Sequence, residues 1–462
     1  MLKKVKKSLI LKEEKKIEQI IKTFHQNNFE CFLIGGSVRD LLLNMDVYDY
    51  DFATNARPEE ILPLFKKVIP TGIKHGTVSV LLEGTSFEVT TYRADGKYLD
   101  GRRPESISFS KTLEEDVKRR DFTINGLAYD LVNKEIIDYV QGIEDLDKKI
   151  IKTIGNPLER FSEDGLRCYR ACRLAAKLNF KIEEQTSSSI SQTIPIAKKV
   201  AIERIRDEFK KTLEAETPSL GIEALRKFGL LKTFLPELAS CYQVFQNKYH
   251  LYDVYYHSLY SCDAAPANFW YLRLAALFHD IGKPITKHSK KEGENTFYNH
   301  EVVGAKITRR IMRRLKFSNE EISKVNNLVI NHMFHYTDDW TDGAVRRFIK
   351  KVGLENINDL FLLRLADRKG NGSREGFPLP IKRLQERIKK IIAEENALSV
   401  RDLKIDGTLI MNHFGLKPGR IIGEVLKFLL DLVLDNPELN KEQVLLEKSQ
   451  DFLKSYLPSE LN

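Results

Sequence analysis

The sequence predicts an α+β protein: a small mixed-sheet head followed by mostly α-helical neck, middle and tail domains. Three observations carry this. Short apolar runs separated by glycine turns fill residues 28–150. Two of them, Gly76–Leu82 and Ser86–Tyr92, flank Glu83-Gly-Thr85 and read as a hairpin. From about residue 156 the apolar residues recur at helical spacing.

The 462 residues suffice for about two to four domains with real cores. The expected division is a lead-in (1–27), the head (28–155), a helical neck (156–240), a histidine-rich helical domain (241–372) and a helical tail (373–462). Gly370-Asn-Gly-Ser373 marks the last boundary. Hydrophobic content of 42% and charged content of 30% describe a soluble globular protein. A formal charge of +9 suits a polyanion such as RNA or DNA, although a merely basic protein has the same balance. The five cysteines form no CxxC pair, which argues against a disulfide framework or a zinc cluster. Leu9-Ile-Leu11 is too short for a signal-peptide core, and no run reaches transmembrane length. A cytoplasmic protein with no membrane association is expected, and no protein partner is implied.

In chain order, an amphipathic helix over Glu14–Phe24 comes first. Cys31-Phe-Leu-Ile34 then reads as a short buried strand. Gly35-Gly36 turns the chain and bares backbone N–H groups, and Val38–Leu43 opens a helix. That order suits an anion such as a triphosphate, and Arg39 adds a forked cation. Asp49 and Asp51 follow in Tyr48-Asp-Tyr-Asp-Phe-Ala53. If this run is a strand, both carboxylates share a face. They can then hold Mg²⁺ for a two-metal reaction.

In the second hairpin strand Phe87, Val89 and Thr91 share one face and Glu88 the other. Glu88 is either a third metal-site carboxylate or an exposed strand residue. Residues 94–104, polar and glycine-rich, read as a mobile loop. Arg119–Ala128 combines a charged head with an apolar helical stripe. Arg120, Asp121 and Asn125 face ribose and phosphates there, or Asp121 is simply a helix cap.

Asp164, Arg167, Arg170 and Arg173 recur every three residues, which lines them up on one helical face. The stripe is either a solvated ion-pair face or a base-reading surface. Cytosine and adenine both show an amino donor beside a ring-nitrogen acceptor. A carboxylate takes the first and a guanidinium gives to the second. Uracil and guanine reverse the pattern, at a cost of about 1–3 kcal/mol per mispaired group.

Taken together, the chain resembles the class II tRNA nucleotidyltransferases, the CCA-adding enzymes. The matching motifs are Gly35–Asp40, Asp49-Tyr-Asp51, Arg119–Asn125, Asp138–Asp145 and Glu163–Arg167. The resemblance implies template-independent addition of C, C and A to the 3′ end of tRNA from CTP and ATP. It places the Mg²⁺ ligands at Asp49 and Asp51. It places nucleotide contacts at Gly36, Arg39, Arg120, Asp164, Arg167, Arg170 and Arg173, beside Gly35, Asp121 and Asn125 from the residues themselves. The 94–104 loop resembles the family's C-to-A switching segment. Gly165 departs from the family, where proline is common, and predicts a looser helix start. Leu403–Ile410, Gly415–Gly423 and the helix Glu424–Leu434 resemble the tRNA-gripping tail, with Lys417 suited to a phosphate.

Seven of the ten histidines lie between 250 and 335. His257, His279-Asp280 and Asp367 resemble the HD phosphohydrolases, which implies a metal at those four residues. A second ion fits His300 and His332, and imidazole with carboxylate suits a transition metal. The competing readings are poly(A) polymerase, CC-only or A-only addition, a phosphohydrolase with a degenerate head, and an RNA-binding protein without turnover.

Overall fold

The computed structural model describes residues 2–94, 108–247, 250–289, 295–372, 378–393 and 399–456. The 94–104 loop therefore lies, from residue 95 on, outside the described residues. The chain divides into two compact units, Met1–Ala239 and Ser240–Asn462.

The first unit is built on an eight-stranded sheet. Its strands are β1 (Lys3–Lys6), β2 (Cys31–Ile34), β3 (Asp51–Thr54), β4 (Val68–Gly72), β5 (Thr77–Leu82), β6 (Thr85–Thr91), β7 (Leu127–Asp130) and β8 (Glu135–Asp138). They lie in the order β1-β8-β7-β2-β3-β6-β5-β4, antiparallel except for β3 with β6. Within the expected lead-in, Lys3–Lys6 pair with β8 as β1 and form an edge strand of the head sheet. The helices that matter for the site are α1 (Glu14–Gln26), α2 (Gly36–Leu42), α3 (Leu113–Lys118), α4 (Pro157–Glu163), α5 (Leu166–Leu178) and α6 (Ile202–Leu213).

Ile17, Ile20, Ile21 and Phe24 of α1 repeat at helical spacing and are buried. In β6, Phe87 and Val89 are fully buried, and each such side chain contributes about 1.5–3 kcal/mol. The hairpin loop is only Glu83-Gly84, one residue shorter than predicted, with φ of 47° and 81°. That is the geometry of a tight two-residue turn.

One helix expectation fails here. Arg119–Ala128 is not a helix: only Thr123–Asn125 coils, as a 3-10 turn, and Leu127 already begins β7. β7 pairs with both β2 and β8, so sheet burial claims its apolar residues. The strand around the aspartates begins only at Asp51, leaving Asp49 just ahead of it.

The second unit is helical. Its helices include α7 (Val254–Ala264), α8 (Trp270–Phe278), α9 (His300–Arg314), α10 (Asn319–Asn331), α11 (Asp342–Val352), α12 (Leu354–Gly370), α13 (Gly407–Phe414) and α14 (Arg420–Asp435). α7 packs on α8 and α12, and α10 on α8 and α9. α14 starts four residues before the expected Glu424 and buries Val425, Leu429 and Val433. Among the described residues, no helix is long and apolar enough to cross a membrane.

Candidate active site

The site is built outward from the glycine turn. Gly35 joins β2 to α2 at φ +79°, a conformation that side chains rarely adopt. Arg39, on α2, is buried. Its Nε and Nη2 lie 2.8 and 2.7 Å from Asp40 Oδ1, and its Nη1 donates to Asn125 Oδ1. Asp40 Oδ2 accepts from Lys177 Nζ on α5 at 2.8 Å. Asn125 Nδ2 donates to Asp121 Oδ1 at 3.0 Å, and Asp121 Oδ2 pairs with Arg170 Nη1 at 3.0 Å. These links form a closed ring that leaves α5 at Lys177 and returns to it at Arg170. Asp121 and Asn125 meet as expected, across a 3-10 turn instead of a helix face.

Asp49 and Asp51 flank Tyr50, which is buried, so both carboxylates fall on the opposite side of the chain. Glu88 of β6 is the register partner of Asp51. Burial, then Glu88 and Asp49, push the Asp51 carboxyl up to about 6, against the opposing pull of Arg120. Glu88 and Asp49 both repel the Asp51 charge, and a divalent cation would relieve that repulsion. The hard oxygen set fits magnesium. Arg120 is held in turn by Asp116, with Nη2 to Oδ2 at 2.9 Å.

Asp164 does not lie on the helix with the arginines. It follows α4 and precedes α5, and its Oδ1 accepts the Leu166 N–H at 3.0 Å. Arg167 Nη1 donates to Arg160 O at 2.9 Å and to Glu163, and Nη2 donates to Arg119 O at 3.2 Å. With five N–H groups in a guanidinium, Nε and one Nη2 hydrogen remain as a forked edge. Arg173 pairs with Glu208 of α6 at 2.6 Å. The helix start is tight and not loose. A Cβ on Gly165 would lie 2.8 Å from Ala197 Cα and 2.9 Å from Ile196 O.

Every candidate nucleotide- or magnesium-site residue named from the sequence, Glu88 included, lines one cavity of about 790 Å³. Lys177 and Arg119 line it too and were missed. Lys177 carried a signal, since it stands four residues beyond Arg173 on the same face.

The second unit holds its own cluster. His257 sits on α7, His279 and Asp280 follow α8, His300 opens α9, His332 follows α10, and Asp367 is on α12. His257, His279 and Asp280 form one possible ligand group, and Asp280, His300 and His332 another. Asp367 Oδ1 lies 3.2 Å from His257 Nε2. Nδ1 of His279, His300 and His332 each lies 2.6–2.8 Å from the carbonyl three residues back. A carbonyl only accepts, so Nδ1 carries the proton and Nε2 keeps its lone pair. The Nε2 atoms of His257 and His279 stand 3.1 Å apart, and those of His300 and His332 3.3 Å. The lone pairs of His300 and His332 thus face each other, and that of His279 faces the His257 ring, an arrangement that suits a shared cation. Gly282 lets the chain approach α9 closely, since a Cβ there would lie 2.2 Å from His300 O. A cavity of about 380 Å³ opens beside the cluster, with Lys283, Arg364 and Arg368 on its wall.

Comparison with known proteins gives three family matches along the chain. The family description "Poly A polymerase head domain" matches residues 31–152. "Probable RNA and SrmB- binding site of polymerase A" matches 179–242, and "HD domain" matches 248–371. The head-domain and HD families are metal-dependent. The CCA-adding enzyme of Limosilactobacillus reuteri is 31% identical over 436 residues, covering 94% of this chain and 96% of its own. That of Enterococcus faecalis is 33% identical over 443 residues, covering 96% and 97%. The crystal structure of the Bacillus stearothermophilus CCA-adding enzyme in complex with CTP shares the fold. Its TM-score is 0.74 at 24% identity, over 97% of this chain and 100% of that one.

Proposed function

The chain belongs to the family of CCA-adding enzymes, and on that premise we propose that it adds C, C and A to the 3′ end of tRNA from CTP and ATP. One observation carries the reading: a single cavity is lined both by Asp49 and Asp51 and by the series Asp164, Arg167, Arg170, Arg173. The tRNA 3′-hydroxyl attacks the α-phosphorus, the bond to the bridging oxygen breaks, and pyrophosphate leaves. Asp49 and Asp51 hold Mg²⁺, with Glu88 beside them. A magnesium ion held by these carboxylates would supply the positive charge that lowers the pKa of the attacking hydroxyl and neutralises the leaving pyrophosphate. Arg39 and Arg120, with the N–H groups of Gly35 and Gly36, hold the triphosphate. Asn125, itself held by Asp121, keeps Arg39 in place beside the ribose, and Asp116 keeps Arg120 in place. Asp164 accepts from the base amino group while the free edge of Arg167 donates to the ring nitrogen. Catalysis is then positioning and charge stabilisation.

In the same reading, 28–155 is the head, 156–240 the neck, 241–372 the HD domain and 373–462 the tail that grips tRNA. The protein acts in the cytoplasm. The test gives the purified protein tRNA lacking its 3′ CCA, with CTP and ATP singly and together. Completed CCA ends are expected. Long A-tails would select a poly(A) polymerase, and a stop at CC a CC-only enzyme. If Asp164→Ala kept the preference for CTP and ATP over UTP and GTP, the base-reading role would fall.

The six ligands in the second unit favour an additional activity, phosphoester hydrolysis. His257, His279, Asp280 and Asp367 hold one transition-metal ion, and His300 and His332 help hold a second through Asp280. A metal bound there supplies a water nucleophile at neutral pH. Lys283 and Arg364 hold Asp280 and Asp367 in place, at 2.6 and 2.9 Å. Hydrolysis of a cyclic phosphate or a phosphomonoester with Ni²⁺ or Mn²⁺, abolished by Asp280→Ala, is the expected result. Hydrolysis that survives Asp280→Ala removes this reading.

A further inference from the structure

We propose that Arg204, on α6, is a specificity-determining positioning residue: it fixes the plane of Asp164 so that one acceptor site, on Oδ2, is left for the amino group of cytosine or adenine. A carboxylate has about four lone-pair sites. Asp164 Oδ1 accepts from Leu166 N at 3.0 Å and from Arg204 Nη1 at 3.3 Å. Oδ2 accepts from Arg204 Nη2 at 2.9 Å. Three sites are filled and the fourth lies on Oδ2.

The Leu166 N–H alone would pin one oxygen but not the plane, because the terminal torsion of an aspartate is broad. The guanidinium fork supplies the missing constraint by gripping both oxygens end-on, through Nη1 and Nη2. Asp164 lines the nucleotide cavity and Arg204 does not, so Arg204 works from behind the reading surface. Beside that single acceptor stands the free edge of Arg167, with donors on Nε and Nη2. One fixed acceptor next to fixed donors matches an amino group next to a ring nitrogen. It sets a lone pair against the O4 of uracil. An Asp164 free to turn would swing that lone pair aside and admit UTP. The effect of Arg204 is therefore on discrimination. Both side chains are partly exposed, 38% and 23%. An exposed pair adds little to folding stability, so variants at 204 should fold.

This inference rests on the base-reading role of Asp164, and the two fail separately. The experiment measures kcat/KM for CTP and UTP on tRNA lacking its 3′ CCA. It compares the parent protein with Arg204→Ala, Arg204→Lys and Asp164→Ala. In Arg204→Ala the CTP-over-UTP ratio should fall at least about tenfold, and guanidinium ion added at millimolar concentration should restore part of it. Arg204→Lys keeps the charge but has no fork, so its ratio should fall as well. An unchanged ratio in Arg204→Ala or in Arg204→Lys, or equal losses for CTP and UTP, overturns the role of Arg204. If Asp164→Ala alters the ratio in that same experiment, the base-reading role survives the loss. If Asp164→Ala also leaves the ratio unchanged, the base-reading role falls with it.

Discussion

Asp51 and Glu88 are register partners across the one parallel strand pair of the head sheet. Burial and that neighbour push the Asp51 carboxyl up to about 6. In an unfolded chain it sits near 3.9. A carboxyl raised on folding contributes stability below its unfolded pKa and loses it as pH rises through the folded one. In the metal-free protein this group should cost at most about 3 kcal/mol between pH 4 and 7. Asp51→Asn should flatten that decline, measured by urea unfolding of metal-free protein across this range. Added Mg²⁺ should stabilise the parent at pH 7.5 and not Asp51→Asn. Equal pH slopes in the two proteins would remove the argument.

Gly165 should not tolerate the proline common in the family. Its φ of −59° would suit proline. The obstacle is space, since a Cβ would meet Ala197 Cα at 2.8 Å and N at 2.9 Å. Those are backbone atoms and cannot rotate away. Gly165→Pro and Gly165→Ala should each cost about 1–3 kcal/mol of stability, as overpacking does. Both should raise KM for CTP, because Asp164 is the neighbouring residue. Thermal unfolding and steady-state kinetics check this. A stable Gly165→Pro with parental KM would mean that Ala197 yields easily.

The sequence carried the glycine turn, the acidic pair and the arginine series because each is local. Spacing of two or three residues reads directly as a shared face. It misjudged Arg119–Ala128 because an apolar stripe does not say whether a helix face or a sheet interior will bury it. Leu127 and Tyr129 went into β7. The counter-charges stayed hidden for a different reason. Arg204 meets Asp164 across 40 residues, and Lys177 meets Asp40 across 137. No periodicity records such pairs.

Lys177 closes the ring that ties α5 to Arg39 through Asp40. Without it, Asp40 keeps only Arg39 as a cation, and the guanidinium loses its fixed direction. Lys177→Met should raise KM for CTP and ATP alike by about tenfold, or ~1.4 kcal/mol. The CTP-over-UTP ratio should stay at the parental value, since Asp164 and Arg204 are untouched. Lys177→Arg should recover most of the affinity. A Lys177→Met enzyme with parental KM for both nucleotides would show that Asp40 and Asn125 suffice to hold Arg39.

Asp280 faces two imidazole pairs with two different oxygens. Oδ2 lies 3.2 Å from His279 Nε2 and 3.5 Å from His257 Nε2. Oδ1 lies 3.2 Å from His300 Nε2 and 3.8 Å from His332 Nε2. A carboxylate split in this way serves both ligand groups, so its removal should empty both. Metal analysis of protein loaded with Mn²⁺ or Ni²⁺ should give about two ions per chain for the parent. Asp280→Ala should give close to none and His332→Ala about one. Both variants should extend tRNA ends at the parental rate, because among the described residues the nucleotide cavity is lined only by residues of the first unit. An Asp280→Ala protein that keeps its full metal content would show that the histidines hold the ions without a bridge.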